Sequence, residues 1–120
     1  MSSQTDTSQL EGADLITLPE AAELLSLTII KVHQLLKDGK LVVTRDAEGR
    51  RVLPRIFVAQ GAPLKGLPGV ITLLRDGGFT DDQIVAWLVR PDDTLPGTPA
   101  QALAENRGTE VKRRAQAAAF

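Results

Sequence analysis

The side chains best suited to chemistry in this chain are basic ones concentrated between positions 26 and 65. That segment carries eight Lys and Arg residues against three acids, a balance of +5, whereas residues 1–25 carry five acids and no base. The whole chain has a formal net charge of −1, which argues against a general polyanion binder. Bases clustered on one segment are suited to binding phosphates, and the alternative is a solvated surface that is basic without a ligand.

Two short helices joined by a tight turn would position these bases. Within residues 17–43 (TLPEAAELLSLTIIKVHQLLKDGKLVV), Thr17 and Glu20 have the spacing of a capping box that begins the first helix. Thr28 can cap a second helix, which is predicted to run to about Asp38. The layout is therefore helix, turn and helix, followed by a β-prone run.

Three residues of this segment have the spacing of a helix-turn-helix motif. Ala22, Ser26 and Val32 stand four and then six residues apart. The first must be small where the helices cross, the second takes the sharp turn, and the third buries the inner face of the second helix. Glycine is the usual turn residue because positive φ is unfavourable for other residues, so Ser26 departs from the pattern. An ordinary helical hairpin is the alternative interpretation.

A β-hairpin is predicted directly after the second helix. Residues 40–44 and 51–53 are β-prone runs, and residues 46–49 between them favour a turn. Pro54 is expected to end the second strand or to confine it to an edge. A hairpin in this position is a wing. The predicted fold is therefore mainly α with a small two-stranded β wing, a winged helix-turn-helix followed by a C-terminal helical subdomain.

The second helix is predicted to enter the major groove of DNA. If Ile29, Val32 and Leu36 face inward at helical spacing, the residues between them face outward. Gln34 could pair with adenine, and Lys31 could contact guanine or phosphate. The predicted DNA contacts on the helix, its end and the wing are Thr28, Ile30, Lys31, His33, Gln34, Lys37, Lys40, Arg45, Arg50 and Arg51.

The arginines of the wing allow two interpretations. Arg45, Arg50 and Arg51 flank the predicted turn, where their guanidinium groups could contact the phosphate backbone without reading bases. In the competing interpretation, Arg50 and Arg51 pair with Glu20 and Glu23 on the first helix and hold the fold together.

Other chemistries find little support in the sequence. The absence of Cys excludes a Cys nucleophile, a thiolate metal site and a disulfide, and His33 has no second metal ligand in view. The acidic pairs at 81–82 and 92–93 are explained better by helix capping and solubility than by acid–base catalysis. We therefore expect no enzyme activity, no metal and no cofactor. The sequence has neither a run of ~20 apolar residues nor a signal peptide, so we expect no membrane contact and a cytoplasmic location.

The chain divides into three predicted regions. Residues 1–14 are polar and acidic and are expected to form a flexible tail. Residues 15–57 form the winged helix-turn-helix. Residues 64–120 form the helical subdomain, in which capping signatures and glycines predict four helices, with Trp87 as a core anchor.

Most of the chain resembles a family of small winged-helix DNA-binding proteins of mycobacteria and other actinobacteria. The resemblance covers about residues 17–120, and its most specific part is the block LPG…LLRDGG…WL. It implies a winged helix-turn-helix fold, binding to double-stranded DNA and transcriptional regulation. Because the family is known for a substrate of a membrane Ser/Thr kinase, it also implies phosphorylation of a Thr in the tail. Thr5 and Thr7 are the candidates.

Residues 54–118 also resemble, more weakly, the toxin-contacting helical domain of Xre-type antitoxins. The similar segments are PRIFV, LPGV, IVAWL, TPAQAL and a closing RA, although the Gln expected after the Phe is absent. This resemblance implies a protein-interaction module, antitoxin-like or adaptor, that binds a partner or a second copy of the chain through its C-terminal helices. DNA binding needs the basic helix and wing, whereas protein binding needs an exposed apolar groove within residues 67–120.

Overall fold

The computed structural model of the protein describes residues 14–119. These residues form six α-helices, a short 3-10 helix and three short strands. In chain order the elements are β1 (Leu15–Thr17), α1 (Leu18–Leu25), α2 (Ile29–Lys37), β2 (Thr44–Arg45), β3 (Arg51–Pro54), the 3-10 helix (Arg55–Phe57), α3 (Leu67–Asp76), α4 (Asp81–Val89), α5 (Pro99–Ala104) and α6 (Gly108–Ala119). None of the helices in this described part of the chain is long and apolar enough to cross a membrane.

Helix α1 begins at the capping box that its sequence predicts. The Oγ1 atom of Thr17 accepts a hydrogen bond from the N–H of Glu20 at 3.4 Å, and the carboxylate of Glu20 accepts one from the N–H of Thr17 at 2.8 Å. Two donors that would otherwise lack partners are satisfied in this way. The hydrogen bond from the Thr17 backbone also lowers the pKa of Glu20, because it favours the charged carboxylate.

The turn between α1 and α2 is built on a left-handed residue, as the spacing predicted. Ser26 has φ 55° and ψ 42°, and its N–H donates to the carbonyls of Ala22 and Glu23. This conformation costs a residue other than glycine about 1–2 kcal/mol, which the packing of the two helices offsets. Thr28 then caps α2 by accepting a hydrogen bond from the N–H of Lys31 at 3.3 Å. The predicted helix-turn-helix is confirmed.

Helix α2 turns one face to the core and the opposite face to solvent. Val32 is fully buried on the inner face, and Leu35 and Leu36 are half-buried against the core. Ile29, which the helical spacing placed on the inner face, is instead 40% exposed. That prediction is wrong because Ile29 is the first residue of α2 and lies next to the turn, at the end of the helix and not over the core.

A three-stranded antiparallel sheet accompanies the helices, with the strand order β1-β3-β2. The sequence predicted only the two-stranded wing formed by β2 and β3, and β1 adds a third strand. Ile16 of β1 pairs with Leu53 of β3, and Leu15 pairs with Pro54. Because β3 is the central strand, Pro54 does not lie on an edge, and instead it is the last residue of its strand.

The first strand of the wing is shorter than predicted. The β-prone run 40–44 contributes only Thr44 to β2, which ends at Arg45. Leu41 and Val42 are buried without being part of a strand. Their apolar side chains serve the core, because the residue types that favour strands also favour burial in irregular structure.

The described structure begins at Asp14, which is bound to the residue that follows β3. The Nε of Arg55 donates to the Asp14 carboxylate at 2.7 Å, and the N–H of Arg55 donates to the Asp14 carbonyl at 2.7 Å. Asp14, assigned to the tail from the sequence, is thus tied to the sheet. Residues 1–13, which include Thr5 and Thr7, lie outside the described residues.

One hydrophobic core includes side chains from both halves of the chain. Phe57, just after β3, is fully buried, and its carbonyl accepts a hydrogen bond from the N–H of Leu64 at 2.8 Å. The 3-10 helix packs against α5, and α3 packs along α6. Trp87 of α4 is half-buried and packs against the same core.

The C-terminal half packs against the wing. Helix α4 packs against β2 and β3. The Oγ1 of Thr44 on β2 donates to the carboxylate of Asp82 on α4 at 2.8 Å. Because Thr44 is buried, this hydrogen bond satisfies a group that water does not reach. The C-terminal helices therefore help to fix the position of the wing.

Candidate nucleic-acid interface

The solvent-facing side of α2 carries the residues that the sequence predicted to contact DNA. Ile30, Gln34 and Lys37 lie at positions i, i+4 and i+7, so they form one ridge along this face. Lys31 and His33 lie on either side of the ridge. All of the predicted contact residues are exposed, namely Thr28, Ile30, Lys31, His33, Gln34, Lys37, Lys40, Arg45, Arg50 and Arg51.

The C-terminal end of this ridge carries a carboxylate. The Nε2 of Gln34 donates to the Asp38 carboxylate at 2.9 Å. Bidentate pairing of Gln34 with adenine uses the same amide N–H group. The hydrogen bond to Asp38 would therefore have to break before Gln34 could pair with the base. Asp38 also brings a negative charge, which repels phosphates. The N-terminal end of α2, around Ile30 and Lys31, is therefore better suited to approach DNA.

The tip of the wing is held by Asp46. Its carboxylate accepts hydrogen bonds from the N–H groups of Glu48 and Arg50 at 3.0 and 2.9 Å, and it lies 2.9 Å from the Nε of Arg50. Partial burial by itself raises the pKa of Asp46, but the hydrogen bonds and charge of Arg50 outweigh burial, so the pKa is lowered. The Nη2 of Arg50 also lies 3.5 Å from a Glu48 carboxylate oxygen. Two acids thus neutralise Arg50, and its charge stabilises the turn of the hairpin.

Arg45 and Arg51 form a like-charged pair on the wing. They face each other directly across β2 and β3, so both side chains lie on the same side of the sheet. Both are exposed, and the Nη1 of Arg45 donates to the Gly49 carbonyl at 2.8 Å. Like charges placed directly opposite each other destabilise a strand pair. An anion bound between the two guanidinium groups would relieve this repulsion.

Arg51 connects the wing to α2. Its Nη2 lies 3.4 Å from the Nδ1 of His33. Because a guanidinium group can only donate, Nδ1 is the acceptor in this contact, and the ring N–H is then the one on Nε2. Arg50 and Arg51 do not pair with Glu20 and Glu23 within the described part of the chain, since their partners lie on the wing and on α2.

Two further residues lie beyond the ends of α2. Lys40 follows Gly39, whose positive φ of 73° turns the chain just after α2. At the other end, Leu27 is 39% exposed and precedes Ile29 and Ile30, which are 40% and 77% exposed. Leu27 was not among the predicted contacts, because a leucine in a turn between two helices is usually part of the core. Ile29 and Ile30 follow closely in the sequence, and this cluster of apolar residues could have indicated an exposed apolar surface.

The fold and this surface define a winged helix-turn-helix protein with a C-terminal helical region. A family model described as "DNA-binding protein Rv2175c, wHTH domain" matches residues 5–58. A second model, described as "Rv2175c C-terminal domain of unknown function", matches residues 64–119.

A relative agrees with these models in both sequence and structure. The chain is 41% identical over 116 residues to the DNA-binding protein Rv2175c of Mycobacterium tuberculosis (strain ATCC 25618 / H37Rv), with 86% of this chain and 79% of that protein covered. The NMR structure of Rv2175c matches with a TM-score of 0.81 at 38% identity and covers 92% of this chain and 84% of that one. The chain therefore belongs to the Rv2175c family, which confirms the resemblance found in its sequence.

Proposed function

We propose that this protein binds double-stranded DNA, with α2 in the major groove and the wing on the phosphate backbone. The observation that carries the proposal is the opposed pair of Arg45 and Arg51, which the contact between Arg51 and His33 links to α2. Two exposed guanidinium groups on one side of a hairpin suit an anion, and the link makes helix and wing one continuous surface. Similarity to a relative named as a DNA-binding protein supports the same function.

The proposed contacts differ between the wing and the helix. Arg45 and Arg51 hold phosphates, for which the planar guanidinium group has matching geometry. Lys31 contacts phosphate or guanine, and the Nε2–H of His33 donates to an acceptor on a base edge or a phosphate. Arg50, although predicted to contact phosphate, makes no such contact in this proposal, because two acids of the wing already neutralise it.

We further propose that the protein regulates transcription and that phosphorylation at Thr5 or Thr7 weakens its binding to DNA. Each phosphate adds a charge of about −1.5 to −2. Residues 1–13 already contain two acids and no Lys or Arg, so a phosphorylated segment competes with DNA for the basic surface.

The alternative function, a protein-binding module, has less support. It needs an exposed apolar groove within residues 67–120. The large hydrophobic side chains that are exposed in the described structure lie elsewhere, at the start of α2: they are Leu27, Ile29 and Ile30. The large apolar side chains that are most exposed therefore lie in the half that carries the basic residues.

The proposal is tested by titrating random-sequence duplex DNA with the wild-type protein and the variant Arg45→Ala/Arg51→Ala at several salt concentrations. The variant is expected to bind more weakly, with a slope of log K against log salt that is smaller by about 1.8, because each phosphate contact contributes about 0.9. The control in the same hairpin is Arg50→Ala, which removes one positive charge, so a phosphate contact at Arg50 would lower the slope by about 0.9. Since that charge is already neutralised, the salt slope of the control is expected to stay near the wild-type value.

Thermal melting separates an effect on binding from an effect on folding. Removing the opposed arginines relieves a repulsion, so the melting temperature is expected not to fall. A lower melting temperature with an unchanged salt slope would show that these arginines hold the fold together, and no binding of duplex by the wild type would overturn the proposal. The same titration with the variant Thr5→Glu/Thr7→Glu tests whether negative charge at these positions weakens DNA binding. Equal DNA affinities of the variant and the wild type would contradict the proposed effect of phosphorylation.

A further inference from the structure

An apolar patch lies at the N-terminal end of α2, within the proposed DNA-binding surface. It consists of Leu27, Ile29 and Ile30, which are 39%, 40% and 77% exposed, and we call it the Ile30 patch. These are the exposed large hydrophobic residues of the described part of the chain. Every other large apolar side chain in that part is buried or half-buried, so the patch is a local exception to an otherwise covered core.

The fold does not explain the patch. Ile30 is the second residue of α2, and a β-branched residue on a solvent-facing helix position gains nothing from helix propensity. The inner face of α2 is already occupied by Val32. An isoleucine that is three-quarters exposed therefore contributes little to the stability of the fold.

The surroundings of the patch favour nucleic acid over protein as the occupant. Ile30 shares its ridge with Gln34 and Lys37 and lies next to Lys31, and His33 with its arginine partner stands on the other side. This mixture of cations and amide groups complements a polyanion. In the major groove, the one apolar group that such a surface meets is the 5-methyl group of thymine.

We propose that Ile30 packs against thymine methyl groups in the major groove, so that the protein prefers sites with thymine opposite the start of α2. The inference rests on the proposed function and deepens it by naming the base that is recognised. Leu27 and Ile29 flank the contact and exclude water from it. The polar residues of the ridge set the position of the helix, and the patch selects the base.

Two pools of random-sequence duplex, identical except that one contains thymine and the other uracil, isolate the methyl group. Wild-type protein is expected to bind the thymine pool about fourfold more tightly for each methyl group buried. Ile30→Ala is expected to bind both pools with the same affinity, close to that of the wild type for the uracil pool. The matched control is Arg45→Ala, which weakens binding to both pools and keeps their ratio, because it removes a phosphate contact.

The outcomes separate this inference from the function on which it rests. Salt-dependent binding with equal affinity for the two pools overturns the thymine contact and leaves DNA binding intact, whereas no binding to either pool overturns both. Sedimentation of the same proteins provides a second arm. A wild type that dimerises and an Ile30→Ala variant that stays monomeric, with no difference between the pools, would show that a second copy covers the patch. Because Ile30 is so exposed, the variant is expected to melt at the wild-type temperature.

Discussion

Replacing Phe57 with alanine is expected to lower the free energy of unfolding by about 3–5 kcal/mol, the usual cost of removing a fully buried aromatic side chain. Phe57 has no exposed surface and follows the central strand of the sheet. Its carbonyl accepts a hydrogen bond from the N–H of Leu64, near the end of the connection to the C-terminal helices. A cavity at this position therefore removes contacts from both halves of the chain.

Urea unfolding of this variant also tests whether the two halves form one cooperative unit. Trp87, the single tryptophan, reports on the C-terminal half by fluorescence, and circular dichroism reports on all helices. If the halves share their core, both signals shift together to lower urea. Phe79→Ala, at a half-buried position, is the control and is expected to cost less. The halves would unfold separately if the fluorescence transition of Trp87 kept the wild-type urea midpoint while circular dichroism showed a transition at lower urea.

Reversing the charge of both lysines on α2, in Lys31→Glu/Lys37→Glu, is expected to weaken binding to duplex DNA by about 100-fold or more. Lys31→Glu places a carboxylate where a phosphate or guanine is expected, and Lys37→Glu reverses a second charge on the same helix face. Like charges brought together at an interface cost several kcal/mol, with about 1.4 kcal/mol for each factor of ten. Both side chains are exposed, so folding is expected to be little affected. The measurement is a titration of random duplex followed by fluorescence anisotropy.

The matched control for this reversal is Lys112→Glu/Arg113→Glu on α6. It changes the net charge by the same amount, at exposed positions in the C-terminal half. The control is expected to weaken binding much less, because only the long-range charge of the protein changes. Equal losses in the two variants would mean that DNA responds to net charge alone, and α2 would lose its proposed place in the groove.

The starts of the helices could be predicted from the sequence because their chemistry is local. A capping box joins residues three positions apart, and the pairs seen in the structure are Thr17 with Glu20, Thr80 with Gln83 and Thr98 with Gln101. The turn at Ser26 was predictable for the same reason, since its position follows from the spacing of Ala22 and Val32. Strand β1 could not be predicted, because it has only three residues and pairs with a strand that is distant in the sequence. Thr17, for example, pairs with Val52.

The outward face of α2 could be predicted from helical periodicity. Which arginines of the wing are paired with acids could not. Arg50 and Arg51 are adjacent and identical in type, yet the first is neutralised by the turn and the second contacts His33. That difference depends on where the turn places the carboxylate of Asp46. Ile29 was misassigned because periodicity takes no account of the end of a helix.

The central claim, that α2 and the wing together form the DNA-binding surface, is tested most directly by adding duplex DNA to the ¹⁵N-labelled protein and following its amide resonances. The largest changes are expected between Thr28 and Lys37 and between Thr44 and Val52, and only small ones in α3 and α6. Changes confined to α3–α6, with the resonances of α2 and the wing unmoved, would contradict the account.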